Sequence, residues 1–177
     1  TTGSRNTAVG FDALKSNTTG FYNVAVGPEA LDTNTGGSSN IAVGYQALNA
    51  STTGGGNVAI GHQALLANTT AGSNIAIGKE SMRSNLTALD NQAIGTNALG
   101  SLVSGNGYNI AIGTVAGYGI TTGGNNTIAG RAAGYSATTG SNNTLYGYVA
   151  GFSGTNNLTT GSNNIIIGAN AAASAAT

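Results

Sequence analysis

Two carboxylates come first among the residues that could do chemistry. Asp12 and Glu29 occupy the same position of a repeating pattern, 17 residues apart. Stacked in neighbouring coils they would sit about 5 Å from each other, near the separation of the two carboxyl groups of a retaining glycosidase. The following repeats carry Gln46, Gln63, Glu80 and Asn97 at this position. A column that mixes carboxylates and amides reads as a solvated polar edge, so catalysis is not expected there. His62 is the sole histidine, so one chain can build neither a Ser-His-Asp relay nor a histidine metal cluster. The aspartates Asp12, Asp32 and Asp90 form no regular column, unlike the calcium-binding nonapeptide repeats. The chain therefore reads as a non-enzyme with no metal and no cofactor.

What would position any such groups is the repeat itself. Its core is N-x-A-[VI]-G, first seen as Asn6-Thr7-Ala8-Val9-Gly10. The glycine recurs at Gly27, Gly44, Gly61, Gly78, Gly95, Gly113, Gly130, Gly147 and Gly168, mostly 17 residues apart, with one step of 18 and a last step of 21. Four residues before each glycine stands an asparagine: Asn6, Asn23, Asn40, Asn57, Asn74, Asn91, Asn109, Asn126, Asn143 and Asn164. Alanine follows three residues after the glycine, with Ser81 as the exception. The next position is Leu14, Leu31, Leu48, Leu65, Met82 and Leu99, then Gly117, Gly134, Gly151 and Ala172. Threonine doublets, from Thr1-Thr2 and Thr18-Thr19 to Thr159-Thr160, precede many of the glycines by nine and eight residues.

Seventeen residues are too few for a helical-hairpin repeat, and Gly, Asn and Thr at fixed positions are poor helix material. Two short strands and two turns per coil are expected. The fold class is then all-β, a parallel β-solenoid of ten coils forming a rod roughly 45 to 50 Å long. One repeat domain spans residues 1–177, with regular coils over 1–117 and variant coils over 118–177. The asparagine column is expected to be structural, its amides stacking from coil to coil. A flat threonine array would suit an ice-binding surface, but adjacent threonines on an extended strand point to opposite faces. A hydroxyl ladder that stabilises the turn is the preferred assignment.

Composition narrows the function classes. Charged residues make up 6% of the chain, with five of each sign, and there are 30 glycines, one proline and no cysteine or tryptophan. With 40% apolar residues the chain should fold, but around a thin core. No basic stripe is present for nucleic acid, and beyond Asp90 the only charge is Arg131. No apolar run is long enough to span a bilayer, so no membrane insertion is expected of this segment. The start at Thr1-Thr2-Gly3, inside a repeat, suggests a fragment or processed product, and the lack of cysteine suits an exported protein. The N-x-[ST] sites at Asn17, Asn49, Asn68, Asn85, Asn125, Asn142 and Asn157 follow from the Asn/Thr-rich composition.

Strand alternation adds an oligomer. In Asn23-Val24-Ala25-Val26-Gly27, Val24 and Val26 point to one side and Ala25 and Gly27 to the other, so both faces are apolar. A lone solenoid has one interior, and the second face calls for a partner. The expected arrangement has Ala/Gly making a close approach on one side and Val/Ile forming a core on the other, with the partner's side undecided.

The N-x-A-[VI]-G-x-x-A core, from Gly3 to Ala173, resembles the head repeat of trimeric autotransporter adhesins, the YadA-like left-handed parallel β-roll. It is similar also to shaft segments of phage tail fibres. The resemblance implies three rolls packed side by side as a homotrimer, extracellular on a cell surface or virion, with a host surface protein or glycan as partner. The family's repeat is shorter than 17, so a longer turn is expected at the Thr-Thr-Gly segment. A membrane anchor and a coiled-coil stalk are both missing from the pattern. Candidate recognition residues lie where the repeat breaks: Lys79 and Arg83 beside the lost Thr-Thr-Gly of 84–90, the aromatics Tyr118, Tyr135 and Phe152, and a loop around Ser153-Gly154-Thr155-Asn156. The aromatics equally suit a packing role, filling space vacated where Leu becomes Gly. A self-assembling filament and an ice-binding solenoid are the alternative readings.

Overall fold

The computed structural model describes residues 2–152 and 157–172. Ten parallel strands form one sheet in sequence order: β1 (Thr7–Val9), β2 (Val24–Val26), β3 (Ile41–Val43), β4 (Val58–Ile60), β5 (Ile75–Ile77), β6 (Gln92–Ile94), β7 (Ile110–Ile112), β8 (Thr127–Ala129), β9 (Thr144–Tyr146) and β10 (Ile165–Ile167). Equivalent repeat positions pair throughout, as in Val24 with Ile41, Ala25 with Ala42 and Val26 with Val43. The protein is a β-solenoid of about 9 turns. Its strand-to-strand steps of about 4.8 Å make a rod of about 43 Å.

Each coil has one strand, not the two expected. The reason lies in the backbone. Residues two and four after the repeat glycines from Gly10 to Gly147 adopt left-handed conformations, as at Gln46 (φ 53) and Leu48 (φ 53), and so does the residue before the asparagine, as at Ser39 (φ 60). Three such positions per coil turn the chain too sharply for a second extended segment. The turns still bond to the next coil, Leu14 N–H to Ala30 O at 2.9 Å and Thr18 N–H to Thr35 O at 3.0 Å. A left-handed leucine costs about 1–2 kcal/mol. Burial of its side chain contributes about 1.5–3 kcal/mol and offsets this. The repeat glycine ends the strand. Gly10 has φ 135, and a methyl group on it would lie 2.6 Å from the Gly27 carbonyl carbon. Stacked coils approach too closely there for any side chain.

The interior is thin and made of columns. Ala25, Ala42, Ala59, Ala76, Ala93 and Ala111 from the strands, Ala30, Ala47, Ala64 and Ala98 from the turns, and the column Leu31, Leu48, Leu65, Met82 and Leu99 are all fully buried. Of the two apolar strand faces, the small Ala side faces inward and the Val/Ile side faces outward. A coil this narrow takes only Ala from the strand, and the left-handed turn delivers the large side chain that faces it from the opposite wall.

From Gly117 onward the volumes trade places. The strand column becomes Ile128, Leu145 and Ile166, while the facing column becomes Gly117, Gly134 and Gly151. A methyl group on Gly134 would lie 2.8 Å from Leu145 Cδ1 and 3.2 Å from Ile128 Cδ1. The space given up by Leu is therefore filled by Ile128 and Leu145 from the strand. Tyr118, Tyr135 and Phe152 do not fill it.

Candidate functional site

The asparagine column is an internal ladder. The Oδ1 of each asparagine accepts the backbone N–H of the next, from Asn6 to Asn23 (2.9 Å) through Asn40 to Asn57 (2.9 Å) and Asn126 to Asn143 (3.0 Å), ending at Asn143 to Asn164 (3.0 Å). The amide Nδ2 donates to a carbonyl one coil along, as Asn23 to Gly37 O at 2.9 Å and Asn109 to Gly123 O at 2.9 Å. Asn23, Asn40, Asn57, Asn74, Asn91 and Asn109 are fully buried. Their polar atoms are spent on the fold, consistent with the structural role expected of them.

The threonine hydroxyls are also spent. Thr18 Oγ1 donates to Thr35 O at 2.9 Å, Thr35 to Thr52 O at 3.1 Å, Thr52 to Thr69 O at 3.1 Å and Thr138 to Thr159 O at 3.1 Å. This is the hydroxyl ladder that stabilises the turn. The second threonine column is exposed at Thr19, Thr53 and Thr70 but interrupted by Gly36.

The two carboxylates have other occupations. Asp12 accepts from Lys15 Nζ at 2.9 Å, and that hydrogen bond raises the Lys15 pKa above its ordinary value. Glu29 accepts from Gln46 Nε2 at 2.8 Å, and Gln46 in turn accepts from Gln63 at 2.8 Å. The edge is a carboxylate–amide ladder. Among the described residues no group of three His, Cys, Asp or Glu side chains is placed to hold a metal ion, and no helix is long and apolar enough to cross a membrane.

Of the recognition candidates, the structure aligns the aromatics on one edge. Tyr118 and Tyr135 stack at 5.4 Å and 12°, and Tyr135 meets Phe152 at 5.1 Å and 42°. Tyr118 also lies against Gly100, where a methyl group would be 2.9 Å from its ring. The rings thus pack on one another, and Tyr118 packs on the coil below. Arg83 occupies the same column one coil beyond Gly100. Lys79 lies apart from it, next to the strand face, with its Nζ 3.5 Å from Glu80. Residues 153–156 lie outside the described residues.

The outward face of the sheet carries an apolar strip. Val24 and Val26, Ile41 and Val43, Val58 and Ile60, Ile75 and Ile77, and Ile110 and Ile112 line two adjacent columns; Gln92 is the sole polar residue in this stretch. Ile60 is 38% exposed and Ile112 47%, while the alanines between them are fully buried. Tyr45, beside this face, packs on His62 at 5.4 Å. Comparison with protein-family models, curated proteins and solved structures finds no match.

One interior column escaped the sequence reading. Asn17, Asn34, Ser51, Asn68 and Asn85 point inward, and Asn34, Ser51, Asn68 and Asn85 are fully buried. Asn68 Nδ2 donates to Ala71 O at 3.0 Å and Asn85 Nδ2 to Ala88 O at 3.0 Å, so these two N-x-[ST] sites are closed to a glycan in the folded chain. Later coils place Leu102, Ile120, Ala137 and Leu158 in the same column. An asparagine that exchanges with leucine at one repeat position was the available clue.

Proposed function

We propose that the chain is a structural and adhesive segment of a trimeric extracellular fibre, such as a bacterial surface adhesin head or a phage tail fibre. In this reading three left-handed rolls lie side by side, YadA-like, with their outward Val/Ile faces turned to one another. The supporting observation is that face. A two-column apolar strip from β2 to β7, broken only at Gln92, exposes surface on an open parallel sheet that burial against another copy would remove from water. Small coils laddered by asparagine and threonine hydrogen bonds suit a rigid spacer, and the edge carrying Arg83, Tyr118, Tyr135 and Phe152 is the side left for a host protein or glycan.

Sedimentation or light scattering with serial dilution tests the assembly, comparing the parent chain with Ile60→Lys and Ile77→Lys on the outward face. A stable species of three chains that the substitutions convert to folded monomers is expected. A monomeric parent overturns the reading. An open-ended distribution of masses would favour a filament subunit. Ice binding is the weaker alternative, because the hydroxyls of Thr18, Thr35 and Thr52 donate to backbone carbonyls.

A further inference from the structure

We propose that Ser51 marks an internal water-binding site in the polar column of Asn17, Asn34, Ser51, Asn68 and Asn85. Each member of this column sits at the same point of its coil, with its backbone N–H donating to the carbonyl three residues back: Asn34 to Leu31 O (3.2 Å), Ser51 to Leu48 O (3.3 Å) and Asn68 to Leu65 O (3.3 Å). Between the first two asparagines of the column the amides join. Asn34 Nδ2 donates to Asn17 Oδ1 at 3.0 Å and to Gly37 O at 3.0 Å.

Ser51 interrupts this pattern. Its side chain is two heavy atoms shorter than asparagine and cannot reach Asn34 as Asn34 reaches Asn17. Asn34 Oδ1, Ser51 Oγ and Asn68 Oδ1 are buried and find no hydrogen-bond partner among the described residues. The three residues are fully buried in consecutive coils. Asn34 Oδ1 and Ser51 Oγ, orphaned in adjacent coils of one column, mark a site for a polar ligand, since buried polar atoms are almost always paired with protein or ordered water.

Size and spacing select water. Coils are about 4.8 Å apart, and two hydrogen bonds of about 2.8 Å through one water oxygen reach up to about 5.6 Å. The volume lost on going from asparagine to serine is of the order of one water's share, about 30 Å³. The water donates to Asn34 Oδ1 and bonds to Ser51 Oγ. It takes the place of the amide that a continuous column would supply.

Crystal structures of the full chain and of the Ser51→Asn and Ser51→Ala variants, with thermal unfolding of each, test this. The parent should show one ordered water within hydrogen-bond distance of Asn34 Oδ1 and Ser51 Oγ. Ser51→Asn should replace it with an amide bonded to Asn34 and raise the unfolding midpoint. Ser51→Ala should keep the water with one partner fewer and lower the midpoint. A parent with no density there overturns the proposal. So does a Ser51→Asn variant that unfolds at a lower temperature than the parent.

Discussion

Removing one amide from the middle of the asparagine ladder should loosen the rod locally and measurably. Asn57 Nδ2 donates to Ala71 O at 3.0 Å and to Asn40 Oδ1 at 3.2 Å, and its Oδ1 accepts the Asn74 N–H at 3.0 Å. Asn57→Ala deletes all three bonds. Ala71 O keeps the amide of Asn68 and Asn40 Oδ1 keeps the Asn57 backbone N–H, but Asn74 N–H is left buried with its acceptor gone. One orphaned buried donor costs about 1–3 kcal/mol, and the two other bonds about 1 kcal/mol each, for a total of about 3–5 kcal/mol. Asn6→Ala, at a half-buried position, should cost about 1 kcal/mol because water replaces the lost partner. Denaturant unfolding at one fixed protein concentration compares the variants, and amide hydrogen exchange locates the damage. Since each coil touches only its neighbours, faster exchange is expected at Asn74 and adjoining coils and not around β9. A loss below about 1 kcal/mol with unchanged exchange at Asn74 would refute the ladder as a source of stability.

Val115 (φ 52) and Val149 (φ 50) are β-branched residues in a left-handed conformation, at a position filled elsewhere by Asn97 and Asn170. Replacing either with Asn should stabilise by about 1 kcal/mol, seen as a higher unfolding midpoint. Ile128→Ala should open a cavity and cost about 2–5 kcal/mol, and adding Gly134→Leu should return less than half of it, because Leu145 Cδ1 still lies 2.8 Å from a methyl group at that position. A double-mutant cycle measures that coupling. The bond to Asp12 raises the Lys15 pKa in the folded chain. The pair's contribution is thus complete below the ordinary lysine value of 10.5 and is lost as pH rises through the higher folded value. Titration of the Lys15 ammonium by NMR, in the parent and in Asp12→Asn, should show the higher value in the parent.

Period, strand position and asparagine column could be read from the residues because they recur at every coil. The inward face could not. Both faces of Val24-Ala25-Val26 are apolar, and only the left-handed turn carrying Leu31 and Leu48 decides that the narrow interior takes Ala from the strand. The same turns hid the loss of a second strand, since left-handed Leu and Gln residues have no composition signature. Gly134 was visible as a break in the leucine column, but its compensation by Ile128 and Leu145 needs three dimensions. Asn68 read as one more N-x-[ST] site of an Asn/Thr-rich chain, and its burial shows only in three dimensions.

The direction of the hydrogen bonds has a mechanical consequence. Strands lie across the rod, so bonds such as Thr7 N–H to Asn23 O run along its length. Tension between the two ends then pulls on a few bonds at a time, peeling one coil before loading the next. A freed coil of 17 residues extends to at most about 60 Å in place of about 4.8 Å. Stretched in this way, the rod would lengthen in uniform steps and dissipate force coil by coil.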